Sequence, residues 1–210
     1  MTPESFVNRL GREKASAILR TDSQEKAALA MEAAMRGGFT ILEFTLSIPG
    51  AYELVQDFSK HEGVVVGTGT VMTAEDVRNS VDAGARFVVA PVVDETVIEA
   101  ATDLGVASMP GTHTPTEMLR AHRAGADLCK LFPAPAGGPV WVKSVLGPMP
   151  YLKIVPTNGA DEHNAADWIR AGCFAAGFVA PLFVADDIAN NRWDEIEARA
   201  ARCIAAVQSA

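Results

Sequence analysis

Short apolar runs bounded by Gly or Pro recur along the whole chain, and each is followed by a segment with apolar residues at helical spacing. Candidate strands are Ser16–Arg20, Ile41–Thr45, Val64–Gly69, Phe87–Pro91, Ala107–Gly111, Leu128–Pro133, Lys153–Thr157 and Phe174–Phe178. Helix starts are marked at Ser23, Thr73 and Thr114, where a hydroxyl precedes an acidic first turn or a proline. Helix stops are marked by Gly37-Gly38, Gly84, Gly105, Gly125 and Gly172, each placed for a left-handed C-cap. Strands always joined through helices run parallel with right-handed crossovers.

Eight such units predict a closed α/β (β/α)8 TIM barrel of eight parallel strands, preceded by an N-terminal helix. No linker rich in Ser, Pro or charge divides residues 1–210, so a single domain is expected. At 210 residues the chain lies near the lower limit of roughly 200 for this architecture, which calls for tight loops. A doubly wound open sheet is the alternative. Against it, Arg20-Thr21-Asp22-Ser23 stands after the first strand, where a dinucleotide fold carries G-x-G-x-x-G. Barrels place their active sites at the C-terminal strand ends, and there the unusual residues collect: Arg20, Glu43, Thr45, Thr70, Pro91, Lys130 and Thr157.

Lys130 lies inside the apolar run Leu128-Cys129-Lys130-Leu131-Phe132-Pro133. Burying an ammonium is costly and favours the neutral amine, the form that attacks a carbonyl carbon to make an imine. An edge-strand lysine reaching water explains the run equally well. Glu43, in Ile41-Leu42-Glu43-Phe44-Thr45, tips the balance, because it sets a carboxyl group in a second apolar strand. Facing one interior, the two make a nucleophile and an acid/base partner for the proton transfers of imine chemistry. A simple counter-ion role for Glu43 fits the same pattern. Arg20 offers a fork for a substrate carboxylate, or is a solvated loop residue. Thr70 supplies a hydroxyl among glycines that permit close backbone approach to a ligand.

Composition narrows the partners. A hydrophobic fraction of 49% supports one sizeable core, and a formal net charge of −8 argues against nucleic acid or an anionic membrane surface as partner. No apolar stretch suggests a signal peptide or a bilayer span. Cys129, Cys173 and Cys203 form no C-x-x-C pair, which suits a reduced, cytoplasmic protein. His61, His122 and His163 share no ligand spacing with cysteines or carboxylates, so no metal site is expected. His113 follows the fifth strand and could touch substrate, but is not expected to act in catalysis. Cys129 should point away from Lys130, across the strand.

Five segments in order, Ile41-Leu42-Glu43-Phe44-Thr45, Gly67-Thr68-Gly69-Thr70-Val71, Met109-Pro110-Gly111, Lys130-Leu131-Phe132-Pro133 and Val155-Pro156-Thr157, resemble the 2-keto-3-deoxy-6-phosphogluconate / 4-hydroxy-2-oxoglutarate aldolase family. The resemblance implies a class I aldolase that cleaves a 2-keto-4-hydroxy acid to pyruvate and an aldehyde. It also implies a homotrimer, and no cofactor beyond the covalent lysine imine. By that match Lys130 is the Schiff-base lysine and Glu43 the proton shuttle. Thr70 and Pro91 sit on the pyruvate side, Phe132 beside the lysine, and Thr157 at the distal edge.

Three departures stand out. Ser47 replaces an arginine four residues after the glutamate, and Arg20 is expected to hold the substrate carboxylate instead. Thr157-Asn158-Gly159 replaces a Thr-Gly-Gly phosphate loop. Gly177-Phe178-Val179 replaces a Gly-Ser pair, so that Phe178 is expected to remove a phosphate hydrogen bond and shrink the pocket, leaving backbone amides near Gly159 and Gly177 for an anion. Weak preference for phosphorylated substrates follows. A barrel that binds a keto acid or phosphate ligand without turnover is the non-enzymatic alternative, and an isomerase or epimerase that needs no imine is the other.

Overall fold

The computed structural model describes residues 1–210. Helix α1 (Pro3–Glu13) leads into β1 (Ala15–Leu19), α2 (Gln24–Arg36), β2 (Ile41–Thr45), α3 (Ala51–Phe58), β3 (Val65–Gly69), α4 (Ala74–Asp82), β4 (Phe87–Val89), α5 (Glu95–Asp103) and β5 (Ala107–Met109). The chain continues through β6 (Gly111–Thr112), α6 (Pro115–Arg123), β7 (Cys129–Leu131), α7 (Gly138–Leu146), β8 (Ile154–Pro156), α8 (Ala165–Arg170), β9 (Ala176–Phe178), α9 (Ala185–Ala189) and α10 (Trp193–Gln208).

All strand pairs are parallel, in a six-stranded sheet ordered β5-β4-β3-β2-β1-β9 and a three-stranded sheet ordered β6-β7-β8. Strands are added in chain order without the reversal that a doubly wound sheet requires. The fifth predicted strand, Ala107–Gly111, is broken at Pro110 into β5 and β6. Proline has no N–H for a ladder, although the Pro110 carbonyl still accepts the Lys130 N–H at 3.0 Å.

Helix signals translate into caps. Ser23, Thr73 and Thr114 accept backbone N–H groups at their helix starts, and the last two form capping boxes with Asp76 and Glu117. Gly38, Gly84, Gly105, Gly125 and Gly172 adopt positive φ, whereas Gly37 does not. Gly37 serves contact instead, since a Cβ there would strike Ala200 and the Glu197 carbonyl of α10.

Alternation along the buried strands divides the core in two. Leu42 and Phe44 of β2, and Cys129 and Leu131 of β7, face the helices in the larger cluster. Ile41 and Leu128 face the interior, with Val65, Phe87 and Val155, and α1 closes this layer with Phe6, Val7 and Leu10. The Phe6 ring stacks on Phe87 at 4.5 Å between centroids. Because Glu43 and Lys130 lie two residues beyond Ile41 and Leu128, they share that inner face, above an apolar floor.

Candidate active site

A cavity of about 310 Å³ opens at the C-terminal strand ends, lined by Ile18, Arg20, Thr45, Thr70, Pro91, Lys130, Phe132, Thr157, Asn158 and Val179. Eight of these are the residues expected from sequence, drawn together from strands up to 138 positions apart. A larger groove between α5 and α6, about 680 Å³, is lined mainly by charged and polar residues such as Glu95, Glu99, Arg120 and Arg123, and lies away from the strand ends.

Lys130 is 9% exposed, and its Nζ lies 5.2 Å from the centroid of the Phe132 ring. Burial lowers its pKa below the ordinary 10.5; Glu43 opposes that fall and Arg20 reinforces it. Glu43 is wholly buried and is not among the residues lining the cavity. Burial raises the Glu43 carboxyl above its ordinary range, against the charges of Lys130 and Arg20. Neither carboxyl oxygen has a hydrogen-bond partner, so the direct counter-ion arrangement is not what the geometry shows. Both shifts favour the uncharged forms, a nucleophilic amine and a carboxyl group that carries a proton.

Gly69 makes that carboxyl position available. In the β2–β3 register Thr45 pairs with Gly69, and a methyl group on Gly69 would overlap Glu43 Oε1. The glycine accommodates Glu43 rather than a ligand. Gly69→Ala is therefore expected to displace the carboxyl group and lower kcat by about 10²-fold. Overpacking should cost a further 1–3 kcal/mol, roughly, in stability. Steady-state kinetics and thermal unfolding check both, and wild-type turnover in a stable variant would contradict the assignment.

Arg20 spreads its guanidinium over two hydroxyls, donating from Nη1 to Ser47 Oγ at 3.0 Å and from Nη2 to Thr70 Oγ1 at 2.9 Å. Ser47 is linked in turn to Thr45 Oγ1 at 2.9 Å. Thr70 holds a left-handed φ of 62°, which costs a β-branched residue about 1–3 kcal/mol. Thr70 thus meets Arg20 in a strained backbone conformation at the cavity edge. Arg20 is exposed at the mouth, with two guanidinium nitrogens bound to hydroxyls.

At the far end one expectation is corrected. Phe178 does not shrink the pocket: its side chain is fully buried in the outer core, edge-on to Phe39 at 5.6 Å. Strand parity is the reason, since Gly177 faces inward against Ile18 and Thr157 and its neighbour must face outward. At Gly159 the space a Cβ would need is occupied by Ala134. Asn158 adopts φ 59° and so reproduces the left-handed backbone a glycine would give. The N–H groups of Asn158, Gly159, Val179 and Ala180 donate to no protein acceptor.

Sequence reasoning missed Ile18 and Val179 as cavity walls, although each lies two residues from an expected position, Arg20 and Gly177. It also missed the anchoring role of Ser47. His113 is outside the cavity lining, with Nδ1 2.9 Å from the Pro133 carbonyl oxygen. Cys129 points to the outer core as expected, and burial pushes its thiol up to about 12.

A parallel α/β fold with a buried lysine at its C-terminal strand ends fits a class I pyruvate aldolase, a lyase. Residues 7–199 match the family model described as KDPG and KHG aldolase. The chain belongs to that family. It is 35% identical over 170 residues, 80% of each chain, to a probable 2-dehydro-3-deoxy-6-phosphogalactonate aldolase of Rhizobium meliloti (strain 1021). It is 31% identical over 170 residues to the 2-dehydro-3-deoxy-6-phosphogalactonate aldolase of Escherichia coli (strain K12), covering 80% of this chain and 83% of that one. A KDPG aldolase from Legionella pneumophila, solved with pyruvate captured at low pH as a covalent carbinolamine intermediate, superposes with a TM-score of 0.83 at 25% identity over 98% of both chains.

Proposed function

We propose that the chain cleaves a 2-keto-3-deoxy-6-phospho sugar acid to pyruvate and an aldehyde, with Lys130 as the covalent residue. Lys130 Nζ adds to the C2 carbonyl, and loss of water from the carbinolamine gives the iminium. Removal of the proton from the C4 hydroxyl breaks the C3–C4 bond, releasing the aldehyde and leaving an enamine. Protonation at C3 and hydrolysis then free pyruvate and the amine. Glu43 carries these protons. Its carboxyl oxygens are buried without a protein partner, which leaves their hydrogen-bonding capacity for a water or a substrate hydroxyl admitted beside Lys130. The carrying observation is a buried, uncharged-leaning Lys130 that shares one cavity with the anchored guanidinium of Arg20. The iminium itself is the electron sink, so this chemistry calls on no metal or organic cofactor.

Arg20 holds the substrate carboxylate, with Thr45, Thr70 and Pro91 around the pyruvate half. Losing one charge-assisted partner costs about 1.5–3 kcal/mol, so Arg20→Ala should weaken pyruvate about 10- to 100-fold. Half-saturation of borohydride trapping by pyruvate measures this, and an unchanged value would remove Arg20 from the role.

Thr157, Asn158 and Val179 form the distal end, where unused backbone amides supply anion donors. With Phe178 turned outward, the case for a shrunken pocket falls away and phosphate recognition by amides becomes the better reading. The phosphorylated six-carbon acid is expected to exceed 4-hydroxy-2-oxoglutarate in kcat/KM by about tenfold or more, the scale of one charged hydrogen bond. Side-by-side kinetics decide it, and equal or reversed values favour the short unphosphorylated substrate.

The same reading extends to the frame. We place both sheets in one closed eight-unit barrel spanning the chain, supported by the parallel bridge of Thr157 with Gly177 and by the Phe174 N–H donating to the Ile154 carbonyl at 2.8 Å. A homotrimer is proposed from the family resemblance. A cytoplasmic setting accords with three unpaired cysteines, and no helix is long and apolar enough to cross a membrane.

A further inference from the structure

Arg199 lies on α10, outside the cavity, yet it is tied to the segment that forms the cavity's distal wall. Its Nη1 donates to the Leu182 carbonyl at 3.0 Å, and its Nη2 donates to Asp187 Oδ2 at 2.8 Å. Asp187 is itself 4% exposed and takes Arg192 Nε on its other oxygen at 2.7 Å. Leu182 closes a tight turn, because the N–H groups of Leu182 and Phe183 both donate to the Val179 carbonyl, at 3.0 and 2.9 Å. Val179 lines the cavity beside Thr157 and Asn158.

We infer that Arg199, held by Asp187, is a positioning residue that fixes the Val179–Phe183 turn and so sets affinity for the distal half of the substrate. This inference rests on the aldolase reading above. A fold-stabilising ion pair needs only the arm that meets Asp187. The second arm reaches the carbonyl of Leu182, the residue whose N–H closes the turn onto Val179, and Asp187, buried and also bound by Arg192, keeps the guanidinium from swinging away. Lys130 and Arg20 make no hydrogen bond to any of these groups, so the pyruvate half should be insulated from changes there.

Arg199→Met, Arg199→Lys and Asp187→Asn test it through KM and kcat on 2-keto-3-deoxy-6-phosphogalactonate, together with half-saturation of borohydride trapping by pyruvate. In Arg199→Met, KM for the phosphorylated acid should rise about tenfold or more, the scale of a lost charged hydrogen bond. Values of kcat and pyruvate half-saturation should stay within about twofold. Arg199→Lys should recover part of the loss, and Asp187→Asn should resemble Arg199→Met. If Arg199→Met does not fold, the other two variants decide by the same comparison. An unchanged KM overturns the proposal, as does a parallel loss of KM, kcat and pyruvate trapping, which marks general loosening. A wild-type chain that traps no pyruvate overturns the aldolase reading and this inference with it, whereas normal trapping with unchanged KM overturns the inference alone.

Discussion

Lys130→Met is expected to abolish aldol cleavage while leaving the protein as stable as wild type or more so. The amine forms the only covalent bond between protein and substrate in the proposed sequence, and removing such a nucleophile elsewhere costs about 10⁶-fold. Stability should move the other way. Lys130 is almost fully buried, its pKa is driven down by that burial, and no carboxylate pairs with it directly. A methionine of similar length fills the space without the desolvation cost. Turnover by coupled pyruvate detection and thermal unfolding measure the two effects. Loss of activity through loss of fold would count against the account.

Glu43→Gln carries the second large effect. Glutamine keeps the volume and removes the titratable carboxyl group, so the expected fall in kcat is about 10²–10⁴-fold, the range for a general acid/base. Because both Glu43 oxygens lack partners, no internal hydrogen bond is lost in the exchange. The thermal midpoint should stay near wild type. If Glu43 were merely the counter-ion of Lys130, the variant would lose stability and keep turnover, which is the opposite pattern.

Much of this site was legible in the residues themselves. Lys130 and Glu43 stand out because charge inside an apolar strand is physically expensive, and strand parity puts both on the inner face with Leu128 and Ile41. The hydroxyl caps at Ser23, Thr73 and Thr114 were equally readable, since capping is decided within four residues. Other features depend on register between strands, which a sequence does not carry. The place of Gly69 under Glu43 follows from its pairing with Thr45, and the anchoring of Arg20 joins it to a hydroxyl 50 positions away. Phe178 was misplaced for a different reason. Parity counted from Gly177 along the expected strand Phe174–Phe178 would have turned it outward, but Phe178 was aligned with the hydroxyl of a phosphate-binding Gly-Ser pair instead. The break at Pro110 was visible in principle, because the missing N–H cannot join a ladder.

The central claim is that Lys130 forms an imine with the keto acid, and covalent trapping tests it most directly. Wild-type protein incubated with pyruvate and borohydride should gain one reduced pyruvate fragment per chain, located by peptide mapping on Lys130, while Lys130→Met gains none. Burial lowers the Lys130 pKa, so the rate of trapping should show its inflection below pH 10.5. An adduct on another lysine, or an undiminished adduct on Lys130→Met, would contradict the account.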